Sequence, residues 1–183
     1  MGTTSWASGV ASAIVTLILL VGIAGFFSHR PVVRPWLVVL YGINAGHGHV
    51  SRDTLRAVRP VDVALLLLAG GTYAGFWPGP GGSQILWMSL AIAQPLLGIV
   101  ILLATRLWGR SGLMGGALVL SILMIVNATS TGVGWLGAAG SMLLLAGDFG
   151  TTDRSSRLLA TSLAVGYGAL IAWFGWLAIL LLT

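Results

Sequence analysis

The sequence contains no cysteine, no lysine and no glutamate. The absence of cysteine excludes disulfides, thiolate nucleophiles and CxxC redox pairs, and with them thiol-dependent membrane oxidoreductase mechanisms. Without glutamate, the only carboxylates are Asp53, Asp62, Asp148 and Asp153. The chain also has no P-loop, no nucleophile elbow, no HExxH motif and no dinucleotide fingerprint. These absences lean against an enzyme, without excluding one.

Charge is scarce as well, because only 7% of the 183 residues are charged and 57% are hydrophobic. A soluble domain carries about 25% charged residues, so this chain has too little polar surface for a soluble globule. The composition predicts an integral membrane protein, and the length predicts a single domain, residues 1–183. Zinc-finger and RNA-binding spacings are absent. We therefore expect no nucleic-acid partner despite the net charge of +5.

Six apolar runs are candidates for membrane-spanning helices, each of which needs roughly 20 residues. They cover residues 10–27, 61–77, 85–105, 113–128, 134–147 and 158–182. A further apolar run, residues 36–46, is about half a span long and is predicted to be interfacial or re-entrant. If residues 36–46 cross the membrane instead, two alternatives stay open. The chain then has seven spans, or it has six spans and residues 134–147 do not cross. The predicted fold is an all-α, polytopic transmembrane helix bundle.

All basic side chains are arginines, and in the six-span scheme they lie on one side of the membrane. They are Arg30, Arg34, Arg52, Arg56, Arg59, Arg106, Arg110, Arg154 and Arg157. Cytoplasmic loops are enriched in Lys and Arg. This pattern predicts a protein of the plasma (inner) membrane, with the arginine loops in the cytoplasm and both termini outside.

Arg52, Arg56 and Arg59 recur at i, i+4 and i+7, and on a helix they would share one face. Such a face is suited to the phosphates of membrane lipids or to a partner. The alternative is a basic loop that only sets the topology.

Polar groups inside the predicted spans are costly in hydrocarbon, and each is a lead to a binding site. Gln94 lies in the middle of the third span and precedes Pro95, which leaves one backbone carbonyl without its helical partner. Tyr73, Thr72 and Ser121 could join Gln94 if the second, third and fourth spans pack together. The residues expected to line a cavity for an apolar ligand are Gln94, Tyr73, Asn127 and Trp173. The alternatives are an ordinary interhelical hydrogen bond for Gln94 and simple core packing for Trp173.

The three histidines, His29, His47 and His49, fall in one predicted cytoplasmic stretch. A His-x-His pair can supply two ligands to zinc or copper, with His29 or Asp53 as the third. This hypothesis makes the protein a metal-dependent membrane enzyme. We favour the alternative, a polar loop at the headgroup surface, because the sequence GHGH has no second ligand cluster beside it.

Residues from about 59 to 157 resemble the small four-helix membrane proteins of the DoxX/DoxD type. The resemblance is carried by RPVDVALLLLAGGTYAGF, by IAQPLLGIVILLATRLWGRSGLMGGALVLSILM and by WLGAAGSMLLLAGDFG. Gln94 stands where that family has an acidic residue. The resemblance implies a membrane accessory subunit associated with sulfur- or quinone-linked oxidoreduction.

The leading prediction is a non-catalytic membrane protein, either an accessory subunit or a module that binds a lipid or a quinone. The sequence makes no cofactor certain, and a bound lipid or quinone is the candidate. The expected partners are membrane lipids, other membrane subunits or a second copy of the chain. The second hypothesis is a transporter or channel for a small neutral solute. Glycines four residues apart, such as Gly71 and Gly75, predict close helix packing within the chain, or alternatively a dimer face.

Overall fold

A computed structural model of the chain describes residues 3–27, 52–76, 89–105, 109–126, 130–149 and 157–183. The helices are α1 (Thr3–Phe27), α2 (Arg52–Ala74), α3 (Gln94–Thr105, preceded by a π-helical turn at Ser89–Ala93), α4 (Gly109–Val126), α5 (Thr131–Phe149) and α6 (Arg157–Leu182). Within these ranges there is no strand, so the prediction of an all-α fold is confirmed. The short apolar run at residues 36–46 lies outside the described residues.

Helix α2 continues through Pro60. Residues 52–59 and the apolar run that follows form one continuous helix with Pro60 inside it. A proline in a helix interior removes one hydrogen bond and crowds the carbonyl four residues earlier, here that of Arg56. Because residues 52–59 are helical, Arg52, Arg56 and Arg59 occupy positions on one helical face.

The helices pack in chain order and form a closed ring. Each helix contacts the next one, α6 returns to α1, and α2 also contacts α4. Gly75 of α2 lies against Ser8 of α1, and Gly71 lies 3.6 Å, measured from an ideal Cβ, from the Cβ of Ala11. These two contacts show that α1 and α2 are antiparallel. They also confirm the prediction that Gly71 and Gly75 serve packing within the chain.

Small residues also bring α1 and α6 close together. The hydroxyl of Ser12 donates to the carbonyl oxygen of Phe174 at 2.7 Å. A Cβ on Gly9 would lie 2.7 Å from Leu182 Cγ, closer than real side chains come. Since Gly9 meets the end of α6 and Ser12 meets an earlier residue, these two helices are antiparallel as well.

The remaining contacts show that α2, α4 and α6 run in the same direction through the bundle. Neighbouring helices are again antiparallel, as the contact pairs show: Gly134 with Ile125, Gly137 with Ser121 and Trp173, and Gly166 with Leu144. The arginines that fall on helices occupy the N-terminal parts of α2, α4 and α6: Arg52, Arg56, Arg59, Arg110 and Arg157. A cation at a helix N-terminus is disfavoured by about 0.3–1 kcal/mol through the helix dipole. Helix stability therefore does not explain these arginines.

Both the interior and the outer surface are apolar. The core is centred on Trp173 and Phe174, whose rings meet edge to face at 4.9 Å and 76°. Among the described residues one helix, Ala164–Leu182, is long and apolar enough to cross a membrane, with a mean hydropathy of 2.0. Five shorter apolar stretches of 10–17 residues lie on the other helices: Trp6–Val21, Val63–Ala74, Ala91–Val100, Leu113–Val126 and Thr131–Ala146.

Candidate functional site

The polypeptide is irregular at the point where α3 begins. Ser89–Ala93 form a single π-helical turn, and regular α-helix starts at Gln94, immediately before Pro95. Pro95 has no N–H to donate, and its ring crowds the carbonyl of Ala91 four residues earlier. The wider π turn gives that carbonyl more room. Such turns are rare in proteins and occur frequently at functional sites.

Glycines of α2 and α4 approach this irregular turn from two sides. A Cβ on Gly70 of α2 would lie 2.6 Å from the carbonyl oxygen of Ala91. A Cβ on Gly116 of α4 would lie 2.7 Å from Gln94 Cδ and 2.8 Å from Tyr73 Cε2. Real Cβ atoms do not come this close to their neighbours, so neither position has room for a side chain. The turn is therefore held between α2 and α4.

The carboxamide of Gln94 is buried without a hydrogen-bond partner. Both Nε2 and Oε1 are inaccessible, and neither bonds to any described residue. The residue as a whole is part-buried, so atoms of Gln94 other than its carboxamide remain accessible. An interhelical hydrogen bond, the simpler expectation, is not formed within the described ranges. Leaving a polar group buried and unpaired costs about 1–3 kcal/mol.

Tyr73 of α2 lies beside Gln94 and is fully buried. Its hydroxyl donates to the carbonyl oxygen of Leu113 at 3.5 Å, the outer limit for a hydrogen bond. Both side chains lie against the same side of Gly116. A Cβ on Gly116 would be 2.8 Å from Tyr73 Cε2 and 2.9 Å from Gln94 Oε1. The structure thus brings Tyr73 and Gln94 together, because α2, α3 and α4 pack on one another.

Trp173 was expected in the same cavity, but the structure places it on another face of α4. Its Nε1 atom would lie 2.5 Å from a Cβ on Gly137, next to the hydroxyl of Ser121. Gly116 and Ser121 are five residues apart on α4, which corresponds to about 140° around the helix. Gly116 therefore faces α2 and α3 with Gln94, whereas Ser121 faces α5 and α6. Ser121 does not join Gln94 either.

Several predicted residues lie outside the described parts of the structure. Asn127 is one of them, and the three histidines are the others: His29, His47 and His49. Arg52, Arg56 and Arg59 are placed by their backbone alone. In the described portions of the chain, no group of three or more His, Asp, Glu or Cys side chains could hold a metal ion. The histidine metal site therefore stays a prediction.

Two glycines that shape the interior have little signal in the sequence. Gly70 is one member of a Gly-Gly pair, and Gly137 is one of several glycines in α5. Gly137 precedes Ser141 by four residues, a small-xxx-small spacing typical of close helix contacts in lipid. That spacing predicts a contact, but it does not say which side chains fill it.

No family model, no curated protein and no solved structure matches this chain. The resemblance to DoxX/DoxD-type proteins thus remains a prediction carried by the residues quoted above. What the site binds has to follow from its own geometry.

Proposed function

We propose that this chain is a polytopic integral membrane protein that binds an amphiphile with a neutral polar head, a lipid or a quinone, between α2, α3 and α4. Membrane insertion is supported first by the outer surface. Every helix exposes large apolar side chains, among them Val21, Leu67, Leu97, Val126, Met142 and Ile179. Soluble monomers rarely expose apolar patches beyond a few hundred Å². Lipid tails are the solvent that suits such a surface.

Helix length gives a second line of support. Helices α1, α5 and α6 contain 25, 19 and 26 residues. Helix α2 contains 23 residues, of which the apolar stretch is Val63–Ala74. A spanning helix needs about 20 residues, with 17 to 25 tolerated. Helix α4 has 18 residues, and α3 has 12 in addition to its π turn of five.

The two ends of the bundle also differ in the way that a membrane protein requires. The arginine-bearing turns of α2, α4 and α6 begin three helices that run in the same direction, and each lies toward the same end of its helix. Trp6 and Trp135 lie near the other end and are 64% and 62% exposed. Tryptophan prefers the headgroup region, and arginine loops prefer the cytoplasm. We therefore propose that the arginine end is cytoplasmic and that both termini are outside.

The binding proposal is carried by one observation, the unpaired donor and acceptor of the Gln94 carboxamide. A carbonyl or hydroxyl oxygen of a ligand can accept from Nε2, and a ligand hydroxyl can donate to Oε1. Tyr73 adds a hydroxyl whose hydrogen bond to Leu113, among the described residues, is long. Because the amide is uncharged, the site suits a neutral head.

The outer face of α3 supplies a place for the ligand's tail. Four side chains are each between 53% and 60% exposed: Ile92 in the π turn, and Leu96, Leu97 and Val100 on α3. An acyl or isoprenoid chain lying along them would bury apolar surface, which is worth about 25 cal/mol per Å². The head would then reach Gln94 around the irregular turn, where this residue is only part-buried.

The arginine face of α2 fits a second, separate task within the same proposal. Arg52, Arg56 and Arg59 lie at the cytoplasmic end, where each basic residue near an anionic membrane surface contributes about 1 kcal/mol of attraction. We propose that this face holds lipid phosphates or a partner subunit. With the DoxX/DoxD resemblance, it supports an accessory role beside quinone-linked oxidoreduction.

The test of the binding proposal is the Gln94→Leu variant, purified gently in native lipid. We expect it to lose the bound lipid or quinone that co-purifies with the unaltered protein, measured by mass spectrometry of an organic extract. Expression and folding should be retained, because leucine has a similar volume and removes an unpaired amide. The matched control is Met142→Gln, which adds an amide on the exposed side of α5, away from the proposed site. An unchanged content of lipid and quinone in Gln94→Leu would contradict the proposal.

A further inference from the structure

The outer apolar surface of the bundle is taller along α1 than along α4 and α5. Helix α1 runs for 25 residues, Thr3–Phe27, and its sequence contains no charged residue. At a rise of about 1.5 Å per residue, this helix offers an uncharged length of about 37 Å. The hydrocarbon core of a typical membrane is about 30 Å thick. Helix α1 can therefore cross such a membrane even when it is tilted.

The uncharged lengths of α4 and α5 are shorter, because charged positions lie close to one end of each helix. In α4, Arg110 precedes an uncharged stretch that ends with the helix at Val126. In α5, the helix begins at Thr131, and Asp148 lies one residue before its end. The length from Arg110 to Val126 is about 24 Å, and that from Thr131 to Asp148 is about 26 Å. Any tilt makes the height that these helices span smaller still.

The packing contacts show that the boundaries of α4 and α5 fall at matching levels. Gly137 of α5 lies against Ser121 of α4. Asp148 comes eleven residues after Gly137, and Arg110 comes eleven residues before Ser121. Because α4 and α5 are antiparallel, the two charged positions lie at one level. Toward the other end of α5, the exposed Trp135 lies two residues before Gly137.

Two tryptophans mark the second boundary of this side. Trp173 of α6 also meets Gly137, so Trp176, three residues later, lies near the level of Trp135. Both Trp135 and Trp176 are exposed. Tryptophan rings prefer the headgroup region of a membrane. Measured along α5, the tryptophan level and the level of Asp148 are about 20 Å apart.

Between these two levels the outer face of α4 and α5 carries apolar, exposed side chains. We call it the short side, and it is defined by Val119, Ile122, Val126, Leu136 and Met142. Charged residues are costly in hydrocarbon, so the positions at its edge belong outside the membrane core. A membrane of ordinary thickness then has to become thinner at this side, or the lipids there have to be shorter.

We infer that the short side associates with lipids of short acyl chain in preference to longer ones, and that the surface along α1 does not. The inference rests on the proposed membrane insertion, and it adds the kind of lipid that surrounds one side of the bundle. The selecting feature is the length of the lipid tail rather than the chemistry of its head. It is therefore separate from the binding proposed at Gln94.

The test is quenching of tryptophan fluorescence by brominated lipid, with the full chain reconstituted in vesicles. A phosphatidylcholine with brominated eighteen-carbon chains is mixed with an unbrominated one whose chains have fourteen, eighteen or twenty-two carbons. A lipid enriched beside a tryptophan displaces the brominated lipid and raises the fluorescence. Trp135 reports on the short side, and the exposed Trp6 reports on α1. Each signal is the difference between the unaltered protein and Trp135→Phe or Trp6→Phe.

At Trp135 we expect the fourteen-carbon lipid to displace the brominated lipid about two-fold better than the eighteen-carbon lipid does. The twenty-two-carbon lipid should displace it least. At Trp6 we expect no preference for the shortest chain. Equal displacement at Trp135, or a preference there for longer chains, would overturn the inference, and the same preference at Trp6 would overturn its assignment to one side. A chain that does not float with the vesicles would instead refute the proposed membrane insertion itself.

A double variant tests the cause of the preference. Arg110→Leu combined with Asp148→Leu extends the uncharged lengths of α4 and α5, and the preference at Trp135 for the fourteen-carbon lipid should disappear. The matched control, Arg34→Leu combined with Asp53→Leu, removes the same two charges from positions outside both helices and should keep the preference. An unchanged preference in the first double variant would overturn the inference. The unaltered protein decides the question where that variant fails to fold.

Discussion

Gly115 and Gly116 are neighbours on α4 with opposite surroundings, and this contrast allows a sharp test of the candidate site. A Cβ on Gly116 would lie 2.7 Å from Gln94 Cδ, 2.8 Å from Tyr73 Cε2 and 2.9 Å from Gln94 Oε1. A Cβ on Gly115 would meet nothing within 4 Å. Gly116→Ala therefore forces an added methyl group between two buried side chains, whereas Gly115→Ala places it in open space.

The expected magnitudes follow from two opposing terms. Replacing glycine by alanine in a helix interior favours the helix by about 1 kcal/mol. Overpacking a filled interior costs about 1–3 kcal/mol. The helix term is common to both variants and cancels in their difference. We therefore expect Gly116→Ala to have a free energy of unfolding about 1–3 kcal/mol lower than that of Gly115→Ala.

The assay is reversible unfolding of both variants in the same mixed micelles, followed by tryptophan fluorescence, with the unaltered protein alongside. If Gly116→Ala also displaces the Gln94 amide, it should retain less lipid or quinone than Gly115→Ala after purification. Equal stability of the two alanine variants would refute the close contact of α2, α3 and α4 at this turn. Equal stability together with equal ligand content would also remove the candidate site.

Three further predictions concern packing, topology and partners. Ser12→Ala should lower the free energy of unfolding by about 0.5–1.5 kcal/mol, because it removes the hydrogen bond to Phe174; Thr183→Ala, at an exposed chain end, should change it little. The chain has no native cysteine, so single cysteines can report the topology. Thr131→Cys should react with a membrane-impermeant maleimide in intact cells, whereas Arg157→Cys should react only after lysis. The reverse result would contradict the proposed orientation. Native mass spectrometry from the native membrane should show a stoichiometric partner chain if the accessory-subunit proposal is correct, and a lone chain that retains lipid or quinone would favour the binding module instead.

Several features of the fold could be predicted because their causes are local. A helix satisfies its own backbone hydrogen bonds, so a long run of Leu, Ala, Ile and Gly without polar spacing indicates a helix wherever it packs. Pro95 likewise disturbs its own helix, and the π turn at Ser89–Ala93 precedes it closely. Pro60 is the exception, because α2 continues through it. The hydrogen bond that is lost at Pro60 is therefore not enough to end α2.

The candidate site could be predicted only in part. The pairing of Gln94 with Tyr73 required α2, α3 and α4 to meet, which the sequence left as an assumption. Trp173 was grouped with them because of its depth in a span, although depth does not specify the face of the neighbouring helix that a side chain contacts. Gly116 and Gly137 decide these contacts, since each lacks a side chain at the point where two others meet.

Sequence by itself determined the class of secondary structure, the scarcity of charge and the position of arginines near the starts of α2, α4 and α6, because these properties depend on residue type and order along the chain. Tertiary structure alone decided which polar groups share a space. Gly116 and Ser121 lie about 140° apart on one helix, so Gln94 and Trp173 are divided between two parts of the interior. That division depends on the rotation of α4 against its neighbours, and the rotation is set by packing among helices that are distant in sequence.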